Sequence, residues 1–215
     1  MIENNIHQIW VGNAKIPSHI KDYMNKVKEH HKDFNYYLWT DANLPKLPAH
    51  LKEIYDSYKE PAIKADLLRM YVVHELGGVY LDADFDTIDG LYSDVMLGLN
   101  HNGLIFFNQS YGLSALANTI FGFKKNDPLL KYMIDNITHK NQWIGPNWWS
   151  QIICKFLGLD PDKSTLEELK EKLKLLDIEV IIWKDMEDHC FRHEALASWV
   201  DGSDWNEKLK NGEYD

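Results

Sequence analysis

Two carboxylates separated by one residue, in Asp82-Ala83-Asp84, are the groups in this chain best suited to chemistry. They follow the apolar run Val79-Tyr80-Leu81, which predicts that they stand at the carboxyl end of a strand. Residues two apart in extended chain point to the same side, and two such carboxylates repel unless a cation or a proton intervenes. A hard divalent ion, Mg²⁺ or Mn²⁺, satisfies such a pair and keeps open positions for a substrate diphosphate. A solvated acidic turn is the alternative that the spacing leaves open.

A second pair of charged residues lies in the helix predicted ahead of that strand. Asp66 and Arg69 are three residues apart, so they share one helix face. Pro61 opens this helix and Gly77-Gly78 ends it. Because ligands of α/β sheets bind outside the carboxyl ends of strands, both pairs are expected at one site. An ordinary helical salt bridge is the other interpretation of Asp66 and Arg69.

The elements that must position these groups alternate between strand and helix patterns. An opening strand, helix and strand within about 40 residues predict an α/β fold. Ser164-Thr165-Leu166-Glu167 has the form of a capping box, which predicts a helix from Ser164. Strands are predicted over residues 6–12, 36–39, 79–81, 104–107 and 178–183, and helices over 17–31, 51–58, 61–76, 113–122, 128–137 and 148–157.

Length, charge and cysteine content restrict the class of protein. The 215 residues suit one compact domain, and the formal net charge of −10 argues against binding to nucleic acid or to anionic lipid. Two cysteines, Cys154 and Cys190, make no disulfide framework and favour a reducing compartment. The start of the chain lacks a signal-peptide pattern, and no apolar run is long enough to span a bilayer. We therefore expect a cytoplasmic protein with no nucleic-acid partner and no membrane-spanning segment.

Three segments together resemble the sugar transferases with a DXD motif, and glycosyltransferase family 32 most closely. This family includes yeast-type mannosyltransferases and capsular polysaccharide enzymes, and the catalytic domains of the clostridial glucosylating toxins are similar over the same motifs. The resemblance covers roughly residues 4–90 and is patchy beyond them. The segments are His7-Gln8-Ile9-Trp10-Val11-Gly12, Leu38-Trp39-Thr40-Asp41, and Lys64-Ala65-Asp66-Leu67-Leu68-Arg69 leading into Gly77-Gly78-Val79-Tyr80-Leu81-Asp82-Ala83-Asp84.

The resemblance implies a single GT-A domain over residues 1–200, with a mixed central sheet flanked by helices, and a polar C-terminal tail over residues 201–215. It implies a metal-dependent, retaining hexosyltransferase of the kind used in polysaccharide biosynthesis. The sugar would move from a nucleotide-sugar to a glycan, lipid-linked or protein acceptor. A UDP-hexose is the favoured donor, GDP-mannose is the alternative, and Mn²⁺ or Mg²⁺ is the implied cofactor.

The resemblance also assigns roles to the two charged pairs. Asp66 and Arg69 would bind the hydroxyls of the donor sugar. Asp82 would reach the ribose, the sugar or the metal, and Asp84 would be the firmest metal ligand. These four residues form the implied catalytic set.

Further residues would hold the nucleotide. Trp10 and Val11 would contact it, with Trp10 stacking on the base, and Tyr80 would lie near the base and ribose. Without the resemblance, a Trp in a first strand more often packs in a core than stacks on a ligand.

The late segment His193-Glu194-Ala195-Leu196-Ala197-Ser198-Trp199 fits the order in which relatives complete the metal and diphosphate contacts. His193 would be a metal ligand, and Ser198 and Trp199 would contact the diphosphate. Many relatives have a Gly and more aromatic residues between these positions, whereas this chain has Glu-Ala-Leu-Ala. Zinc bound by His189, Cys190 and His193 is disfavoured because no fourth ligand has a suitable spacing.

Two other functions compete with sugar transfer. A phosphatase that forms an aspartyl-phosphate also places Asp-x-Asp after an apolar strand, but it needs Thr or Val two residues after the second Asp. If the motif begins at Asp82 this position holds Asp86, and if it begins at Asp84 the position holds Ile88, so a phosphatase is disfavoured. A non-catalytic nucleotide-sugar-binding module of the same fold remains open, because fold alone does not fix function.

Overall fold

A computed structural model describes residues 1–87, 99–108 and 116–183, together with the backbone of residues 191–193. The predicted tail over residues 201–215 lies outside this part of the chain. The strands of the described part are β1 (Asn5–Ile9), β2 (Asn35–Trp39), β3 (Gly78–Leu81), β4 (Phe85–Thr87), β5 (Gly103–Asn108), β6 (Leu116–Phe123), β7 (Ile178–Trp183) and β8 (Phe191–His193). Its helices are α1 (Ser18–His30), α2 (Ala49–Ser57), α3 (Pro61–Leu76), α4 (Pro128–Asp135), α5 (Pro146–Leu157) and α6 (Leu166–Lys174).

Six strands form a mixed sheet in the order β2-β1-β3-β6-β5-β7, and β4 pairs with β8 in a separate two-stranded ribbon. The strands β2, β1 and β3 run parallel, so their carboxyl ends meet at one edge. The strand β6 is antiparallel to both β3 and β5, and β5 is parallel to β7. This arrangement confirms the predicted mixed sheet and places the acidic motif, directly after β3, at the edge where the three parallel strands end.

Helices cover both faces of the sheet, so β3 is packed on both sides. Tyr80 of β3 faces the larger apolar cluster, which contains α3, while Val79 and Leu81 face a smaller cluster that includes Val27 of α1. The helix α3 is buried continuously from Asp66 to His74. An enclosed helix of this kind has no polar stripe along that stretch, so the charged side chains within it must find partners inside the protein.

The helix predicted over residues 113–122 is wrong from Leu116 onward, because Leu116–Phe123 forms the strand β6. The strand lies between β3 and β5, and its second half, including Ile120 and Phe121, is buried on both faces. A short apolar run inside a buried strand has no period of two that would distinguish it from a helix. The β-branched and aromatic residues of this run are the local signal that favours a strand.

The capping box of α6 is displaced by one residue from its predicted position. Thr165, rather than Ser164, is the N-cap, and its Oγ1 accepts a hydrogen bond from the Glu168 backbone N at 3.2 Å. The Glu168 carboxylate accepts in turn from the Thr165 backbone N at 2.7 Å. The hydroxyl of Ser164 accepts instead from the backbone N of Asp160 at 3.2 Å.

The junction between α3 and β3 depends on polar side chains of β1. Asn5 Nδ2 donates to the carbonyl oxygens of Leu76 and Gly77 at 3.0 and 3.2 Å, so it satisfies acceptors that the end of a helix leaves unpaired. Gly78 has φ +116°, and a Cβ at this position would lie 2.5 Å from the Asn5 carbonyl oxygen. The close approach of β1 therefore requires glycine at the start of β3.

No helix in the described ranges is long and apolar enough to cross a membrane.

We expect Gly78→Ala to lower the free energy of unfolding by about 2 kcal/mol or more, because the backbone conformation and the contact with Asn5 both oppose a side chain. The matched control is Gly158→Ala, since Gly158 also has a positive φ (+70°) but a Cβ there meets no atom within 4 Å. The control should lose about 1 kcal/mol. Urea denaturation of the two variants measures the difference, and equal losses would contradict the close approach of β1 and β3.

Candidate functional site

Arg69 lies on α3 and joins the acidic residues at the end of β3. Its Nη2 is 3.1 Å from Asp66 Oδ1, and its Nη1 is 3.1 Å from Asp82 Oδ1. The guanidinium also lies over the ring of Tyr80, 4.6 Å from the ring centre, which is a cation–π contact. The Arg69 side chain is only 8% exposed. The structure thus brings Asp66, Arg69, Tyr80 and Asp82 together, as the sequence predicts for one site.

Asp82 is held on several sides. Tyr80 Oη donates to its Oδ1 at 2.5 Å, and its backbone N donates to the Thr119 carbonyl of β6 at 2.8 Å. Its own carbonyl accepts from the Phe85 backbone N at 3.3 Å, which closes a four-residue turn over the acidic motif. The carboxylate side chain is 19% exposed, more than that of Arg69 or Asp66, so it is the member of the cluster nearest to solvent.

Asn118 is a residue of this cluster that the sequence-based reasoning missed. Its Nδ2 donates to Asp66 Oδ1 at 3.0 Å, and its carbonyl accepts from Arg69 Nη1 at 2.6 Å. It is 4% exposed and belongs to β6, the segment predicted as a helix. A single Asn within a buried apolar run was the available signal, since a buried amide needs partners.

Burial and the oppositely charged neighbours shift the pKa values of Asp66 and Arg69 in opposite directions. Burial raises the pKa of Asp66 to about 7, with Arg69 opposing the shift and the negative charge of Asp82 adding to it. Burial on its own would lower the pKa of Arg69, but Asp82, Tyr80 and Asp66 raise it above its usual range, so the guanidinium stays charged. Asp66 and Asp82 both pair with the buried guanidinium of Arg69, and Asp84 adds negative charge near it. The carboxylate oxygens of Asp82 and Asp84 are ligands of the kind that a hard divalent ion prefers.

Asp84 follows Asp82 in the turn and is 9% exposed. The strand β4 begins at the next residue and pairs antiparallel with β8, with Phe85 opposite His193. Opposite residues in such a pair have Cα atoms about 5 Å apart, so the backbone of His193 lies beside the acidic motif. Ser198 and Trp199 lie outside the described residues. Among the described residues, no three His, Cys, Asp or Glu side chains form a group that could hold a metal ion.

Trp10 and Val11 both contribute to packing, and Trp10 does so beside the motif. Trp10 is partly exposed, donates from Nε1 to the Ala14 carbonyl at 2.9 Å, and packs against a small cluster that includes Ala83, the middle residue of the motif. Val11 is 7% exposed and belongs to the larger core cluster. Contact of either residue with a nucleotide stays a prediction.

The fold is the GT-A fold of glycosyltransferases. A solved structure titled PaToxG Glycosyltransferase has the same fold with a TM-score of 0.54 at 17% identity, covering 80% of this chain and 84% of that one. Residues 17–100 also match the family model described as the glycosyltransferase sugar-binding region containing DXD motif. The resemblance to the family-32 type of DXD sugar transferases is thereby confirmed.

Curated relatives agree with this assignment. An uncharacterized glycosyltransferase of Acanthamoeba polyphaga mimivirus is 31% identical over 148 residues, which are 64% of this chain and 56% of that protein. Inositol phosphoceramide mannosyltransferase 3 of Schizosaccharomyces pombe is 30% identical over 140 residues, which are 61% of this chain and 36% of that protein. The chain thus spans about half the length of these relatives or less.

We expect Asp66→Asn to remove a pH dependence of stability that the buried carboxyl causes. The folded protein holds a proton on Asp66 up to a pKa of about 7, whereas the unfolded chain releases it near the ordinary value of 3.8. Stability from this group is therefore complete below about pH 4 and falls as the pH rises to about 7, by up to about 1.4 kcal/mol per pH unit. The free energy of unfolding of Asp66→Asn relative to wild type should rise across this range.

Denaturant titrations between pH 4 and 8, without divalent metal, measure this difference. Asp135→Asn is the control, because it removes a carboxylate from an exposed pair with Lys131 that solvent screens. A wild-type curve that runs parallel to that of Asp66→Asn would contradict the assignment.

Proposed function

We propose that this chain is a metal-dependent, retaining glycosyltransferase that moves a hexose from a nucleoside-diphosphate sugar to an acceptor hydroxyl. The observation that carries the proposal is the buried cluster of Asp66, Arg69 and Asp82 at the end of the parallel strands, with Asp84 in the adjoining turn. The names of the relatives support transfer of a sugar rather than phosphate hydrolysis. We keep UDP-hexose as the favoured donor and GDP-mannose as the alternative, which the mannosyltransferase relative supports.

In this proposal Asp82 and Asp84 bind the divalent cation, Mn²⁺ or Mg²⁺, and His193 contributes from the paired strand β8. When bound, the ion supplies positive charge where the leaving diphosphate becomes more negative. Tyr80 acts through Asp82, because its buried hydroxyl donates to that carboxylate. Arg69 holds Asp82 from the other side, through the ion pair between its Nη1 and Asp82 Oδ1 at 3.1 Å.

Asp66 and Arg69 orient the donor sugar through its hydroxyls. The bond between the anomeric carbon and the diphosphate oxygen breaks, and the acceptor oxygen forms a bond to that carbon from the same face. The acceptor hydroxyl gives up its proton to the departing diphosphate, and the leaving diphosphate takes the electron pair of the broken bond. Such a course retains the configuration. Ser198 and Trp199 are proposed to cover the diphosphate, with Trp10 and Val11 beside the nucleotide.

The acceptor is proposed to be a glycan, a lipid-linked sugar or a protein, and the location is proposed to be cytoplasmic. A binding module of the same fold would hold the same donor without breaking it. Catalysis of donor hydrolysis in the absence of acceptor separates these two functions, because a transferase passes the sugar slowly to water.

We expect wild-type protein to release free nucleoside diphosphate from one donor in a panel of UDP- and GDP-sugars, with Mn²⁺ or Mg²⁺ and not with chelator. Asp84→Asn should lower this rate at least about 100-fold, because a neutral amide binds a hard cation poorly. Chromatography of the released nucleotide measures the rate.

The control for this experiment is Asp86→Asn. Asp86 is buried two residues further along the chain and pairs with Lys26 at 2.8 Å, so this change removes a neighbouring carboxylate while leaving both carboxylates of the motif in the sequence. It should keep most of the activity. Metal-dependent binding of a donor without turnover would favour the binding module, and neither binding nor turnover would overturn the proposed function.

We expect His193→Ala to weaken Mn²⁺ binding in the presence of the nucleoside diphosphate by about tenfold or more, a loss of about 1.4 kcal/mol. Neutral imidazole is a good ligand for such ions, and β8 brings this residue beside the motif. Electron paramagnetic resonance of free Mn²⁺ gives the Kd. His139→Ala, at an exposed position away from β4, is the matched control, and an equal Kd for both variants would remove His193 from the metal site.

A further inference from the structure

A buried amide on β1 connects the acidic motif to two neighbouring strands. The Gln8 side chain is fully buried, its Nε2 donates to the Asp82 carbonyl at 3.1 Å, and its Oε1 accepts from Tyr36 Oη of β2 at 2.6 Å. Burying an amide is costly unless its polar atoms are paired, and here both ends are. We propose that Gln8, oriented by Tyr36, is a positioning residue that fixes the Asp82–Asp84 turn for binding of metal and donor.

The hydrogen bond from Gln8 to Asp82 can fix the turn because of its position in the sheet. The pairing of β1 with β3 comprises Ile6 with Val79 and His7 with Tyr80, so the backbone ladder ends before the acidic motif. The side chain of Gln8 reaches Asp82, the second residue beyond that ladder and the first beyond β3. On the opposite side, Asp82 N donates to the Thr119 carbonyl of β6. The turn is therefore held between β1 and β6 by one hydrogen bond on each side.

The Asp82 carbonyl and Tyr36 together hold the amide. The carbonyl can only accept, so it requires Nε2, and the Tyr36 hydroxyl then donates to the remaining Oε1. Burial raises the pKa of Tyr36 above its usual value, so the hydroxyl keeps its proton. Without this hydroxyl, Gln8 can still reach Asp82, but its buried Oε1 loses the partner that helps to hold the side chain in place.

The hydrogen bond from Gln8 is made to the backbone of the motif, so its effect on metal and donor passes through Asp82 and Asp84. The Asp82 carboxylate is already tied to Arg69 and Tyr80, and the carbonyl contact sets the direction in which the turn leaves the sheet. A displacement of about 1 Å in such a group is enough to cost a factor of about 100 in rate. The inference rests on the proposed function, because it assigns Gln8 to the metal and donor site of that reaction.

The test is a cycle of Gln8→Leu, Tyr36→Phe and the double variant, each measured for urea stability and for the Kd of Mn²⁺ in the presence of UDP and of GDP. Each single change leaves a buried polar atom without its partner and should lower stability, whereas the double change removes both partners and should recover much of it. Mn²⁺ binding should stay weakened about tenfold or more in Gln8→Leu and in the double variant. Tyr36→Phe should show a smaller loss, because Gln8 still reaches Asp82.

Tyr71→Phe is the matched control, since Tyr71 Oη donates to the Lys46 carbonyl at 3.0 Å on a part of α3 that does not contact the motif. It should lower stability without changing the Kd. A double variant that recovers both stability and Mn²⁺ affinity would overturn the inference. If Gln8→Leu does not fold, equal Kd values for Tyr36→Phe and Tyr71→Phe overturn it equally. Wild-type protein that binds no metal with either nucleotide would refute the proposed function itself, which is a different result.

Discussion

The buried guanidinium of Arg69 is the constraint on which the arrangement of this site depends. A charge withdrawn from water is tolerated only if it is paired and hydrogen-bonded, and loss of one partner from such a pair costs about 3–5 kcal/mol. Arg69 meets this requirement with one residue from its own helix, Asp66, one from the end of β3, Asp82, and a carbonyl of β6 at Asn118. These contacts favour the observed packing of α3 against the sheet, in which Asp66 and Asp82 both pair with the guanidinium.

The strand β1 supplies the second constraint, through two adjacent residues with different partners. His7 Nε2 lies 2.9 Å from the Gly77 carbonyl, before β3, and Gln8 reaches the Asp82 carbonyl, after β3. Burial lowers the pKa of His7 to about 4, and its Nδ1 accepts from Trp39 Nε1 at 3.2 Å, so a neutral ring donating to Gly77 fits both contacts. His7 and Gln8 thus hold the two ends of β3, the strand that the acidic motif follows.

Local signals predicted the elements around the motif, and long-range contacts account for what they missed. Pro61 and Gly77 marked the two ends of α3, and the alternation of apolar and acidic residues marked the end of β3. The β-branched and aromatic residues of β6 were a weaker signal than a Pro or Gly at an element's end, so the strand was predicted as a helix and Asn118 was missed with it. The contact of Gln8 with Tyr36 depends on the register of β1 and β2, which neither strand encodes by itself. The displaced capping box has a local cause, because Ser164 and Thr165 each have a Glu three residues later.

The partners of the acidic cluster come from both sides of the segment that matches the family model. That segment comprises residues 17–100, whereas Gln8 precedes it and Asn118 follows it, as does β8, the strand that pairs with β4. Asp82 and Arg69 are therefore oriented by strands that the matched segment does not contain. The pairings of β6 with β3 and of β8 with β4 join residues distant in sequence, so the geometry of the cluster depends on long-range contacts. The motif supplies the carboxylates, and the rest of the sheet determines where they point.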